Sequence, residues 1–85
     1  MNWQVKIAKD AEKNIKRFPL KDRLRIQNIL EELLFSPYGG VIEKMEGSDN
    51  SWRRRTGSYR VFYDLDKKNK IIEVTNIERR TSGTY

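Results

Sequence analysis

Trp3, Val5 and Ile7 alternate with Gln4 and Lys6, the period-two pattern of a half-buried strand. From Asp10 the period lengthens. Ala11, Ile15 and Phe18 share one side of a short helix, which Pro19 interrupts. Leu20 to Phe35 carries the strongest helical pattern in the chain. Leu24, Ile26, Ile29, Leu30, Leu33 and Leu34 form a broad apolar stripe, with Lys21, Arg23, Arg25, Glu31 and Glu32 on the wet side. Two antiparallel helices joined at Pro19-Leu20 are expected. Ser36-Pro37-Tyr38-Gly39-Gly40 closes the helical half.

The second half has the pattern of strands. Val41 to Met45 is a candidate, followed by the turn residues Gly47-Ser48-Asp49-Asn50. Trp52–Arg55 and Tyr59–Asp66 are two strands around a Thr56-Gly57-Ser58 turn. Lys67-Lys68-Asn69 turns the chain again into a strand over Lys70–Ile77, rich in Ile, Val and Thr. Helices separated in sequence from successive strands predict an α+β fold. An N-terminal strand and a two-helix antiparallel hairpin pack on a mainly antiparallel sheet of four to five strands. Residues 1–85 have room for a single domain.

Composition narrows the chemistry. Hydrophobic residues make up 36% and charged residues 35%, so a thin core sits inside a charged shell. The net charge of +6 favours an anionic partner. Cysteine and histidine are both absent, which excludes disulfides, thiolate metal sites and the commonest general base. No metal or other cofactor is expected. The N-terminus has no signal-peptide run and no segment is long enough to span a membrane, so a cytoplasmic location follows.

The positive charge is concentrated in Trp52-Arg53-Arg54-Arg55-Thr56-Gly57-Ser58-Tyr59-Arg60, and no acidic residue lies between Asn50 and Tyr63. Guanidinium groups interleaved with aromatic rings suit a polyanion whose bases can stack, RNA above all. Alternation along a strand puts Arg53 and Arg55 on one face and Trp52 and Arg54 on the other. With Val61, Tyr63 and Leu65 turned to the helices, Arg60 points away from them. Arg53 and Arg55 then lie across the hairpin from it, and Arg79 is expected to reach the same face. Such a cluster can hold phosphates bidentately and stabilise transition-state charge. A solvated basic face is the plainer alternative. The absence of a local acid and the strand positions of these arginines weigh against it. Phe62 is a stacking candidate, with partial burial as the alternative. Tyr59 and Tyr63 are expected in the core.

The residues Leu34-Phe35-Ser36-Pro37-Tyr38-Gly39, Lys44-Met45-Glu46-Gly47, the run from Trp52 to Tyr63, Ile77-Glu78-Arg79-Arg80 and Tyr85 carry a family resemblance over essentially the whole chain. The chain resembles the RelE family of bacterial and archaeal toxins, within the RelE/ParE superfamily of toxin–antitoxin systems. The resemblance implies a ribosome-dependent mRNA endonuclease that cuts in the ribosomal A site. There the RNA 2′-hydroxyl attacks the adjacent phosphate without a metal, leaving a 2′,3′-cyclic phosphate. By the same resemblance Arg60 binds the scissile phosphate, Arg79 aids leaving-group protonation and Tyr85 orients the reacting nucleotide. Arg53 and Arg55 stand on the strand where well-studied members carry lysines, one of them a proposed base. Lys44, Arg54, Arg80 and Phe62 are candidate RNA or ribosome contacts. A RelB-like antitoxin is the implied protein partner.

Arginine is protonated at neutral pH, its pKa being roughly 12.5 or more, so it is a poor general base. Either electrostatic stabilisation and positioning carry the rate, or Tyr85, Lys44 or a ribosomal group takes the proton. A ParE-like inhibitor of gyrase and a non-catalytic RNA- or ribosome-binding module are the competing functions.

Overall fold

The chain runs β1 (Gln4–Ile7), α1 (Lys9–Arg17), α2 (Leu20–Phe35), β2 (Val41–Lys44), β3 (Ser51–Thr56), β4 (Tyr59–Asp66) and β5 (Ile71–Arg79). The computed structural model describes residues 3–47 and 50–79. The five strands form one sheet in the order β1-β5-β4-β3-β2. The last four make an antiparallel meander, and β1 joins its far edge parallel to β5. This is the expected α+β arrangement.

The break between the helices follows from Pro19. A residue before proline is pushed out of the helical region, and Phe18 is extended at ψ 149°. The Pro19 carbonyl then accepts the first bonds of α2, from the amides of Asp22 (2.9 Å) and Arg23 (3.0 Å). Ile26, Ile29 and Leu33, at i, i+3 and i+7, form the buried stripe of α2. Leu24 lies outside that stripe and is 54% exposed.

Strand β4 is central and its burial alternates strictly. Tyr59, Val61, Tyr63 and Leu65 are buried, while Arg60, Phe62 and Asp64 are half-buried. The buried set meets Ile72, Val74 and Ile77 of β5 and the helix residues Ala11, Ile26, Ile29 and Leu33. Each such aliphatic side chain contributes about 1.5–3 kcal/mol when fully buried. Both helices therefore cover one face of the sheet and leave the other open. Tyr63 also anchors the loop after α2, its hydroxyl donating to the Pro37 carbonyl at 2.7 Å.

Strand β5 departs from the expected Lys70–Ile77. Lys70 has φ 56° and belongs to the turn, where Asp66 accepts from the Asn69 amide at 3.1 Å. At its other end β5 continues to Arg79, because Glu78 pairs with Arg60 and Arg79 with Tyr59. A register shift opposite Phe62 and Tyr63 interrupts this ladder. There Asn76 Oδ1 accepts from the Ile77 amide (2.9 Å) and from Asn14 of α1 (2.7 Å), which ties the bulge to the helix. Of the expected turn Gly47-Ser48-Asp49-Asn50, Ser48 and Asp49 lie outside the described residues.

Candidate functional site: the arginine face

The tip of the β3–β4 hairpin sets the site. Thr56 pairs with Tyr59, so the loop shrinks from the expected three residues to Gly57-Ser58. Gly57 has φ 57° at the first loop position, where a two-residue type II′ turn requires glycine. The register that follows places Arg53 opposite Phe62, Arg54 opposite Val61 and Arg55 opposite Arg60. Directly opposed residues of an antiparallel pair share a face. Arg53, Arg55, Arg60 and Phe62 accordingly sit on the open face, as the alternation predicts.

Arg55 and Arg60 are like charges directly across the ladder, an arrangement that costs stability unless an anion joins them. No ion pair holds either among the described residues. The Arg60 side chain is half-buried, and its Nε is buried without a hydrogen-bond partner. Phe62 lies one step along, beside Met45, Trp52 and Thr75 in a cleft of about 280 Å³.

Three expectations are corrected. The run from Asn50 to Tyr63 lacks acids in sequence, but the fold supplies them from neighbouring elements. Glu43 of β2 forms an ion pair with Arg53, and Glu78 of β5 is the register partner of Arg60. Second, Arg54, a candidate RNA or ribosome contact on the face opposite Arg53 and Arg55, is held by the protein's own carboxylate. It is 8% exposed on the helix side, where Nη2 donates to Glu32 Oε1 at 2.8 Å. Gly40, at φ 78°, makes room for it, since a Cβ there would lie 2.9 Å from Arg54 Nε. Third, Arg79 does not share the Arg60 face. As the partner of Tyr59 it falls on the helix side, with Nη1 3.0 Å from Asp22 Oδ2. Both corrected arginines follow from residue parity in the ladder and from carboxylates on α2.

Lys44 ends β2 opposite Trp52 and is exposed. Arg80 and Tyr85 lie outside the described residues. Among the described residues no three metal-capable side chains cluster.

Nothing in the sequence pattern marks Asp22, Glu32, Glu43 or Glu78 as neighbours of these arginines. Their spacings are too long for any local motif. Asp22 is the most consequential of them. It is 8% exposed and also bonds the Tyr59 hydroxyl. Burial, then the bond to Asp22 and its charge, hold the Tyr59 pKa above its ordinary value.

A helical hairpin on one side of a meander, with an arginine cluster on the other, defines a small α+β domain with one basic open face. Residues 5–82 match the family described as the ParE toxin of the type II toxin–antitoxin system parDE. The RelE1 protein of Methanocaldococcus jannaschii, described as a toxin, is 31% identical over 88 residues, spanning 100% of this chain and 97% of that protein. The crystal structure of an archaeal RelE–RelB complex from Pyrococcus horikoshii is similar at TM-score 0.80 and 27% identity, covering 98% of this chain and 100% of that one. A RelB–RelE antitoxin–toxin complex from Methanococcus jannaschii is similar at TM-score 0.69 and 27% identity, covering 87% and 88%. The RelBE2 complex of Mycobacterium tuberculosis shares the fold at TM-score 0.83 and 16% identity, covering 94% and 100%. The chain belongs to the RelE/ParE family of toxins of toxin–antitoxin systems.

Proposed function

We propose that this toxin is a ribosome-dependent mRNA endonuclease that stops translation by cutting A-site mRNA. The observation that carries this proposal is the pair Arg55 and Arg60, directly opposed on the open face and in no ion pair among the described residues. Two forked cations at that spacing suit the non-bridging oxygens of one phosphodiester. In the proposed reaction the RNA 2′-hydroxyl attacks the adjacent phosphorus. The 2′-proton passes to water or a ribosomal group, the P–O bond to the next nucleotide breaks and the departing 5′-oxygen takes up a proton, leaving a 2′,3′-cyclic phosphate and a 5′-hydroxyl. Arg60, with Arg55, stabilises the charge that builds on the phosphate oxygens. Arg53 is partly neutralised by Glu43 and assists phosphate binding. Phe62 offers an aromatic edge to a neighbouring base.

By family resemblance Tyr85 acts on the nucleotide and Arg79 at the leaving group, which Arg79 reaches only by giving up Asp22 on the helix side. The guanidiniums supply charge stabilisation rather than a proton acceptor, and the ribosome orients the RNA for attack. The protein works where ribosomes are, in the cytoplasm. We also propose a RelB-like antitoxin partner, as in the Pyrococcus and Methanococcus complexes. An acidic chain laid over the sheet would neutralise the arginine face and stabilise a small core.

The test is cleavage of mRNA on programmed ribosomes, with end-group analysis for the cyclic phosphate. Wild type is expected to cut and Arg60→Ala to lose activity while remaining folded. The match to a family described as ParE gives the rival function, so gyrase supercoiling is measured alongside. Inhibited gyrase with intact mRNA would overturn the endonuclease proposal.

A further inference from the structure

Two arginines on the helix side of the sheet are paired with acids of α2, and the two pairs are built in opposite ways. In Arg54–Glu32 the arginine side chain is fixed, at 10% exposure, and the acid is loose, at 58%. In Arg79–Asp22 the acid is fixed, at 11%, and the arginine is open to solvent, at 46%. Asp22 is held in place three ways. It sits in the first turn of α2, its amide bonds the Pro19 carbonyl, and its carboxylate accepts from the Tyr59 hydroxyl. Arg79 is the exchangeable member of the pair.

The position of this pair matters. Tyr59 starts β4 and is followed directly by Arg60, whose side chain leaves on the opposite face. Arg79 pairs with Tyr59 across the ladder, so the Asp22 corner and the open-face arginines meet at the same end of the sheet. The charges of Arg79 and Arg25 both act on Tyr59, so this corner carries two guanidiniums against the one Asp22 carboxylate.

We propose that Asp22 is a positioning residue that holds Arg79 in a competing ion pair, and that an RNA phosphate at this end of the sheet binds by taking Arg79 from Asp22. The proposal rests on RNA being the ligand of the arginine face and adds an internal competitor to it. A protein carboxylate thereby lowers RNA affinity, and its removal raises it.

The test is binding of a short single-stranded RNA to the full chain by fluorescence anisotropy across a salt series. Asp22→Asn keeps the acceptor for Tyr59 and removes the charge. It is expected to bind about two- to fivefold more tightly at low salt, the scale of a partly exposed ion pair. The slope of log K against log salt should steepen by up to roughly 0.7, because in the wild type the cation taken up by the freed Asp22 offsets the counter-ion that the phosphate releases. In an Arg79→Ala background the same substitution should change neither quantity. An equal gain there would mean that Asp22 acts through net charge alone, and no gain in either background would mean no competition. Each result overturns the proposal.

Wild type gives a readout that needs no variant. The Arg79 Nε–H resonance should shift on adding RNA, while that of Arg54, locked on Glu32, stays still. A static Arg79 signal with RNA bound refutes the exchange. The endonuclease proposal itself stands or falls on programmed ribosomes; if free RNA does not bind in an Arg60-dependent way, the open face is not its site. The same resonance is then followed with inorganic phosphate, where movement of Arg79 alone supports the exchange and a static signal rejects it.

Discussion

Replacing Glu32 by alanine should destabilise this protein more than removing the arginine it binds. The Arg54 side chain is 10% exposed, and its Nε and Nη1 are already buried without partners. Glu32 is its counter-ion. Without that carboxylate the guanidinium stays desolvated, at a cost of about 1–3 kcal/mol. The better helix propensity of alanine offsets only a few tenths of a kcal/mol. In a domain of this size each kcal/mol lowers the melting temperature by about 4–8 °C. Arg54→Met has the reverse consequence. The orphaned Glu32 carboxylate, 58% exposed, returns to water, and methionine fills much of the vacated volume. Exchanging a buried charge for an apolar side chain is often close to neutral, so the loss should stay below about 1 kcal/mol. The double variant should match Arg54→Met. Urea unfolding followed by circular dichroism measures all four proteins. If Arg54→Met costs as much as Glu32→Ala, the burial argument is wrong.

Gly40→Ala meets both a left-handed φ of 78° and the Arg54 guanidinium, whereas Gly57→Ala at φ 57° has no atom within 4 Å of the new Cβ. Conformational strain of about 1–2 kcal/mol applies to both, so Gly40→Ala should melt clearly lower. Tyr63 has its pKa pushed up to about 12 by burial. A raised phenol pKa means that its contribution is complete below the unfolded value near 10 and is lost as pH rises from there through 12. Stability should therefore fall across that window, and Tyr63→Phe, which loses the bond to Pro37, should flatten the fall while costing about 1 kcal/mol at pH 7. Paired melts at pH 7 and pH 11 check this. Arg60→Ala should lower ribosome-dependent cleavage by about 10²–10³, the scale of one transition-state donor. Arg53→Ala, removing a cation already paired with Glu43, should cost less. Single-turnover rates on programmed ribosomes distinguish the two.

Periodicity and turn chemistry were enough to place both helices, the proline break and the alternation of β4, because each is set by neighbours within a few residues. They also put Arg53 and Arg55 on one side, since parity along a strand is local, while the side shared with Arg60 hung on the two-residue Gly57-Ser58 loop that sets the hairpin register. Leu24 shows the limit of the pattern: a wide apolar stripe does not say which edge meets the sheet, and packing left this residue in solvent. Arg54 and Arg79 show a second limit. Whether a strand arginine binds a ligand or the protein's own carboxylate depends on α2 lying across the sheet, a contact that spans 22 residues for Glu32 and Arg54. The chain alone therefore determined a basic, aromatic-flanked hairpin on an α+β scaffold. Tertiary structure decided which guanidiniums remain without a carboxylate, because charges far apart in sequence neutralise one another only after the helices have docked.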